Sequence, residues 1–247
     1  MINYVKSELY RLLRTQTTYY MLLMILFFLL FMLGLTWYTG LNDPNFLYDN
    51  TAFVFRFSQS GLVTVLYVIP FGINVLFGDE YGHGTFKNSV SYGMKREVIY
   101  LGKLITSVLV SFMMSVIVLM VFIPLAELLL ENSGPVYRQG LILSIWHSIP
   151  LFLAALTVAH MLSFITSKAT TQILSYFVMM SLVQTLLLRV KAIVGMPDLV
   201  MRLFPNYLIQ ARFWEAPLGS LFCWGILFLY FGVTTIIGLT VFYKRDI

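Results

Sequence analysis

An all-α, polytopic membrane protein is the fold class this sequence predicts, on three observations. Hydrophobic residues fill 59% of the 247 positions and charged residues only 11%, against roughly 45 to 50% and about 25% in a soluble domain. Six apolar runs, at 19–38, 58–77, 104–123, 141–165, 169–188 and 218–243, approach or exceed the roughly 20 residues that cross a bilayer as a helix. Most of the segments between them are short, which makes one membrane domain over 1–247.

The elements follow in chain order. Before the first run, Ile2, Val5, Leu9, Leu12 and Leu13 recur at helical spacing, with Lys6, Arg11 and Arg14 outside their arc. Residues 1–18 are therefore expected to form an amphipathic helix on the membrane surface. The first apolar run is longer than a signal-peptide core and lacks a small-x-small site after it, so it is read as a retained span. Residues 39–57 carry turn chemistry in "TGLNDPN" and are expected to be an outer loop without a site. Pro70 and Pro124 are expected to kink or end the second and third spans. "NSGP" at 132–135 breaks the chain before the fourth span.

Residues 190–217 are too polar to span and too apolar for a free loop. Pro197, Pro205 and Pro217 divide them, and Leu199, Leu203, Phe204, Leu208 and Phe213 need burial. A pair of short helices dipping into the outer leaflet meets that need, making Leu203, Phe204, Pro205, Leu208 and Phe213 a candidate outer gate. Asn206 is expected to be accessible from outside. The lone Cys223, inside the last span, has no intrachain disulfide partner and is read as packing.

Six spans put both termini on one side. That side holds Lys6, Arg11, Arg14, Lys87, Lys95, Arg96, Lys103, Lys168, Lys244 and Arg245; the other holds Arg56, Arg138, Arg189, Lys191, Arg202 and Arg212. The excess of ten over six favours cytoplasmic termini and accounts for the net charge of +5 without a nucleic-acid partner.

The spans keep no acidic or basic side chain at their middles, where an ion-driven transporter would use one. His147 and His160 are expected to hydrogen-bond to neighbouring helices. Neither H-E-x-x-H, G-x-S-x-G nor G-x-x-x-x-G-K-[ST] occurs, so no catalytic residue, no bound metal and no cofactor is expected on this chain. Two alternatives stay open: an intramembrane metal-dependent enzyme using Glu80, His83 and His160, and a peptide sensor without transport.

Charge and glycine concentrate between the second and third spans, in "GDEYGHGTFKNSVSYGMKREVIYLGK". Gly78, Gly82 and Gly84 are expected to break the second span, residues 85–92 to form a short helix ended by Gly93, and a further helix to start near Met94. This stretch resembles the corresponding loop of ABC-2 type exporter permeases. The match rests on Glu80, Gly84, Thr85, Arg96 and Lys103 at the family's spacing, together with the amphipathic start, the six spans and the partly apolar outer segment. The resemblance implies that 78–98 is a cytosolic coupling loop whose short helix docks on a separate ATP-binding subunit. Glu80, Gly84, Thr85, Lys87, Arg96 and Lys103 are then the motor-coupling residues. It further implies two copies of that subunit, which carry ATP and magnesium, and a second permease of the same or a similar chain. The protein would be a multi-pass permease of a bacterial plasma membrane, moving hydrophobic or amphipathic cargo outward by alternating access. An antimicrobial peptide or bacteriocin, exported as self-protection, fits that class.

Overall fold

The computed structural model describes residues 1–247 apart from 44, 84–89, 92, 167, 196–197 and 245–247, and gives only the backbone at 76 and 78–83. It is all-helical, with no strand among the described residues. The helices are α1 (Ile2–Arg14), α2 (Gln16–Asn42), α3 (Thr51–Ser60), α4 (Leu62–His83), α5 (Arg96–Leu129) and α6 (Pro135–Ile165). There follow α7 (Ala169–Phe177), a π turn (Val178–Leu182) and α8 (Val183–Val194), then α9 (Pro205–Gln210) between two single 3-10 turns, and α10 (Gly219–Lys244).

Among the described residues, five helical stretches are long and apolar enough to cross a membrane: α2, α5, α6, α7 through α8, and α10. A sixth crossing exists only if α3 and α4, bent by 57° against each other, count as one. The bend falls at Gly61, inside the run expected to be the second span and nine residues before Pro70, where a kink or end was expected. Large apolar side chains such as Phe27, Phe28 and Phe31 of α2 and Phe228 of α10 stay exposed, as they do on helices surrounded by lipid.

α6 is the central helix. Ala154, Ala155, Ala159 and Ser163 are fully buried, and small residues of this kind let neighbouring backbones approach closely in a membrane. Around it, Leu66, Ile73 and Phe77 of α4, Ile99, Tyr100 and Leu104 of α5, and Ile226 and Phe242 of α10 complete one core. A second core is formed by Leu33, Val54, Phe55, Phe122, Ala126 and Leu141.

Several local expectations are revised. Residues 39–57 are not simply a loop: α2 runs to Asn42, and α3 starts at Thr51, where the Asn50 side chain accepts the Phe53 amide at 2.9 Å. Helical spacing puts Thr51, Val54 and Phe55 on the buried face of α3 and the last two in the second core, which burial rewards over a free loop. The helices do not end at Pro70 or Pro124, and the backbone of α4 passes Gly78 and Gly82 to reach His83; a single proline or glycine weakens a long membrane helix without having to end it. The expected short helix at 85–92 lies largely outside the described residues; Val90 and Ser91 are helical, and Gly93, at φ 83°, closes the turn onto the Val90 carbonyl at 2.9 Å. α5 begins at Arg96, close to the expected start, and Pro135 opens α6 just after Gly134.

Candidate functional site: the charged foot of α5

Three residues a turn apart on α5, Arg96, Tyr100 and Lys103, reach different partners, and together they tie both ends of the chain to the charged connection that precedes them. A spacing of four and then three puts them on one face.

Arg96 donates from Nη1 to the carbonyls of Phe242 and Tyr243, the latter at 2.7 Å. The last carbonyls of a helix lack intrahelical partners and carry the negative end of its dipole. A guanidinium is well suited to hold two of them. Its carbon also lies 5.6 Å from the Phe242 ring centre. One residue on, Glu97 accepts the Tyr243 hydroxyl at 2.7 Å. The first turn of α5 thus clamps the last turn of α10.

Lys103 is only 4% exposed, and its ammonium lies 3.1 Å from Oε2 of Glu8 on α1, with the Phe77 ring centre 5.1 Å away. Arg11 reaches the same Glu8 oxygen at 2.8 Å. Burial pushes the Glu8 carboxyl up, but the neighbouring Lys103 and Arg11 charges and their hydrogen bonds outweigh it and hold the group below its ordinary 4.5. A Cβ added to Gly102 would come within 2.5 Å of the Tyr4 ring, so glycine lets α1 lie against α5 here. The docked face of α1 carries Tyr4, Glu8 and Leu12, while Ile2 and Leu13, placed on the expected apolar arc, remain exposed. The apolar arc is therefore split between protein contact and the exposed side of α1.

Between the two charged contacts, the Tyr100 hydroxyl donates to the Thr234 carbonyl of α10 at 3.2 Å. Gly238 makes room for it, since a Cβ there would collide with that hydroxyl. His160 of α6 is fully buried and donates from Nε2 to the Tyr100 carbonyl at 3.1 Å, the interhelical bond expected of a lone membrane histidine. Phe77, Tyr100 and Phe164 pack around its ring with centroids 4.7 to 5.3 Å away. His147 lies 3.4 Å from the Ser220 hydroxyl, and Cys223 is a buried free thiol within the first core.

Of the expected coupling residues, the structure brings Arg96 and Lys103 together on this face. Gly84, Thr85 and Lys87 lie outside the described residues, as does the side chain of Glu80. Among the described residues, no three His, Cys, Asp or Glu side chains gather as a metal site would require. Sequence reasoning missed Glu8 and Tyr100. Glu8 had a signal: it is the only acidic residue before Asp43, and it repeats at helical spacing from Tyr4 and Leu12. Tyr100 had none, because an aromatic at a span's edge is ordinary.

The segment at 190–217, expected to lie on the outer side, is not a pair of helices. Its first residues continue α8 to Val194, and beyond that, among the described residues, it holds one six-residue helix, α9, between 3-10 turns at Met201–Leu203 and Phe213–Glu215. Proline spacing this close leaves pieces too short to propagate a longer helix. Among the candidate gate residues, Leu208 and Pro205 are buried, Phe204 and Phe213 are half-buried and Leu203 is exposed, as is Leu199. Arg202 sits over the Phe213 ring at 5.0 Å. Asn206, expected to be accessible, is only 2% exposed; its amide turns inward to a backbone carbonyl.

No known protein-family model matches the chain, and no curated protein matches it. The features above define a polytopic helical membrane protein, and any narrower reading rests on the charged foot itself.

Proposed function

We propose that this chain is the transmembrane permease subunit of an ATP-driven ABC exporter, with ATP hydrolysis on separate subunits. The observation that carries the reading is the clamp at the foot of α5. A soluble motor that pushes on the connection between α4 and α5 would load Arg96 and Lys103 first. Through them it would move α10 and α1 in the same stroke. Charged residues that only kept the connection soluble would point to water. Here they bind the first and last helices instead.

In this mechanism the residues at 78–98 receive the motor and Glu80, Gly84, Thr85 and Lys87 form its contact surface. Arg96 and Lys103 act as positioning residues that distribute the movement. Two such chains, or this chain and a similar one, would enclose a path for a hydrophobic or amphipathic cargo such as an antimicrobial peptide. It would leave past Phe204 and Phe213 on the outer side. Termini on the cytoplasmic side of a bacterial plasma membrane follow from the same reading.

Affinity purification of the full chain from its native membranes, in mild detergent with added lipid, tests it. The expected result is a co-purifying polypeptide with vanadate-sensitive ATPase activity, in about equal amount to the chain. Recovery of the chain alone, after cross-linking in the membrane before solubilisation, would overturn the proposal.

A further inference from the structure

Three departures from regular helix meet at one place on the outer half of the bundle, and each is completed by a side chain from another element. The first is Pro70 in α4. It has no amide hydrogen, so the Leu66 carbonyl four residues earlier loses its helical donor. The buried Tyr176 of α7 donates its hydroxyl to that carbonyl at 2.8 Å. The second is the π turn at Val178–Leu182, where the Val183 amide bonds to the Val178 carbonyl five residues back. A π turn inserts one residue and displaces a carbonyl from the α-helical ladder, so it persists where an outside group stabilises it. That group is Asn206 of α9, whose amide donates to the Met180 carbonyl at 2.7 Å. The third is the 3-10 turn before α9, where Tyr230 of α10 donates to the Leu203 carbonyl at 3.0 Å.

The three sites are contiguous. Tyr67, on the turn of α4 next to Leu66, stacks on Phe177 with ring centres 5.5 Å apart and planes 2° from parallel. Phe177 directly precedes the π turn. Asn206 also approaches the Tyr67 hydroxyl at 3.5 Å.

We propose that α9 is a latch: Asn206 holds the α7–α8 stretch in its π register, at a hinge shared with the hydrogen-bond gap that Pro70 leaves in α4. Release of α9 removes the donor from Met180 and lets the segment return to α-helical register. One residue of register turns α8 by roughly 100° relative to α7, since an α-helix has 3.6 residues per turn. The outer segment thereby sets the orientation of a whole half-span. This goes beyond the permease reading and stands without it, because it concerns only how α9 and the π turn share one equilibrium.

Amide hydrogen exchange on the full chain in phosphatidylcholine–phosphatidylglycerol nanodiscs tests the latch. Asn206→Leu keeps the branched shape of the side chain and removes the donor. Peptides covering 178–187 should exchange about tenfold faster in this variant, the loss expected of one buried hydrogen bond's local protection. Peptides from the centre of α6 should be unchanged. Tyr230→Phe should loosen 199–204 and leave 178–187 as it was. Unchanged exchange at 178–187 in a folded Asn206→Leu protein would overturn the latch. Should that variant not fold, the wild type decides: 178–187 and 205–210 should open together, with protection matched to within about threefold. Exchange of 205–210 on the order of 100-fold faster than 178–187 would equally overturn it.

Discussion

Removing the Glu8 carboxylate should free α1 from the bundle without unfolding the spans. Glu8→Gln keeps the shape of the side chain and deletes the charge that faces Lys103 at 3.1 Å and Arg11 at 2.8 Å. Exposed ion pairs contribute about 0 to 1 kcal/mol, whereas breaking a fully buried one costs about 3 to 5 kcal/mol. With Lys103 4% and Glu8 13% exposed, the contact lies between these limits. A cost of about 2 kcal/mol is expected, or roughly a 30-fold change in the opening equilibrium of α1. Trypsin cleavage after Arg14 in nanodiscs reads that equilibrium when opening is fast relative to cutting. Glu8→Gln and Lys103→Met should each accelerate cleavage, and the double variant should be far less than multiplicative. The acid response follows from the sign of the Glu8 shift. Its pKa is depressed in the folded state, so its contribution is complete above the ordinary 4.5 and disappears as pH falls through the folded value. With pepsin in place of trypsin, wild-type and Glu8→Gln rates should differ least at the most acidic end of the series, as pH falls below the ordinary 4.5 and then through the lower folded value. Acceleration below about threefold for Glu8→Gln, or multiplicative effects in the double variant, would refute the docking role of the pair.

Arg96→Ala should fray the end of α10, with a nitroxide at Lys244 becoming more mobile; Arg96→Lys should fall between it and wild type, because an ammonium lacks the planar fork. Gly238→Leu, which must displace the Tyr100 hydroxyl, should lower thermal stability by about 1 to 3 kcal/mol; Gly225→Leu, with nothing within 4 Å of an added Cβ, is the control and should change it little. In a Cys223→Ser background, an impermeant thiol reagent on intact cells should label a cysteine at the exposed Ala211 and not one at the exposed Ser91; the reverse pattern would invert the orientation and the roles built on it.

The apolar helices were legible because lipid-facing and core-facing residues alike are apolar, so length and composition carry the signal. The bend at Gly61 was not, since a run such as 58–77 reads the same whether it crosses straight or turns by 57°. α3 was hidden by its position after "NDPN", although its period was visible in Val54, Phe55 and Ser58. At the foot of α5, Arg96 and Lys103 stood out as charges beside a span, but the sequence pointed them toward a partner rather than inward. Their actual contacts with Tyr243 and Glu8 join residues 147 and 95 positions apart, a separation at which spacing says nothing. Asn206 misled for a related reason. A polar residue in an outer segment reads as exposed until a π turn 26 residues earlier supplies a carbonyl that needs it.

Photo-cross-linking from the connection between α4 and α5 tests the central claim most directly. A benzophenone amino acid at Lys87, activated in native membranes, should give an adduct with an ATP-binding polypeptide, while the same group at Ala211 should not. The yield at Lys87 should change when ATP and vanadate trap the motor. Adducts at Lys87 with lipid alone, or with a protein that binds no nucleotide, would contradict the account.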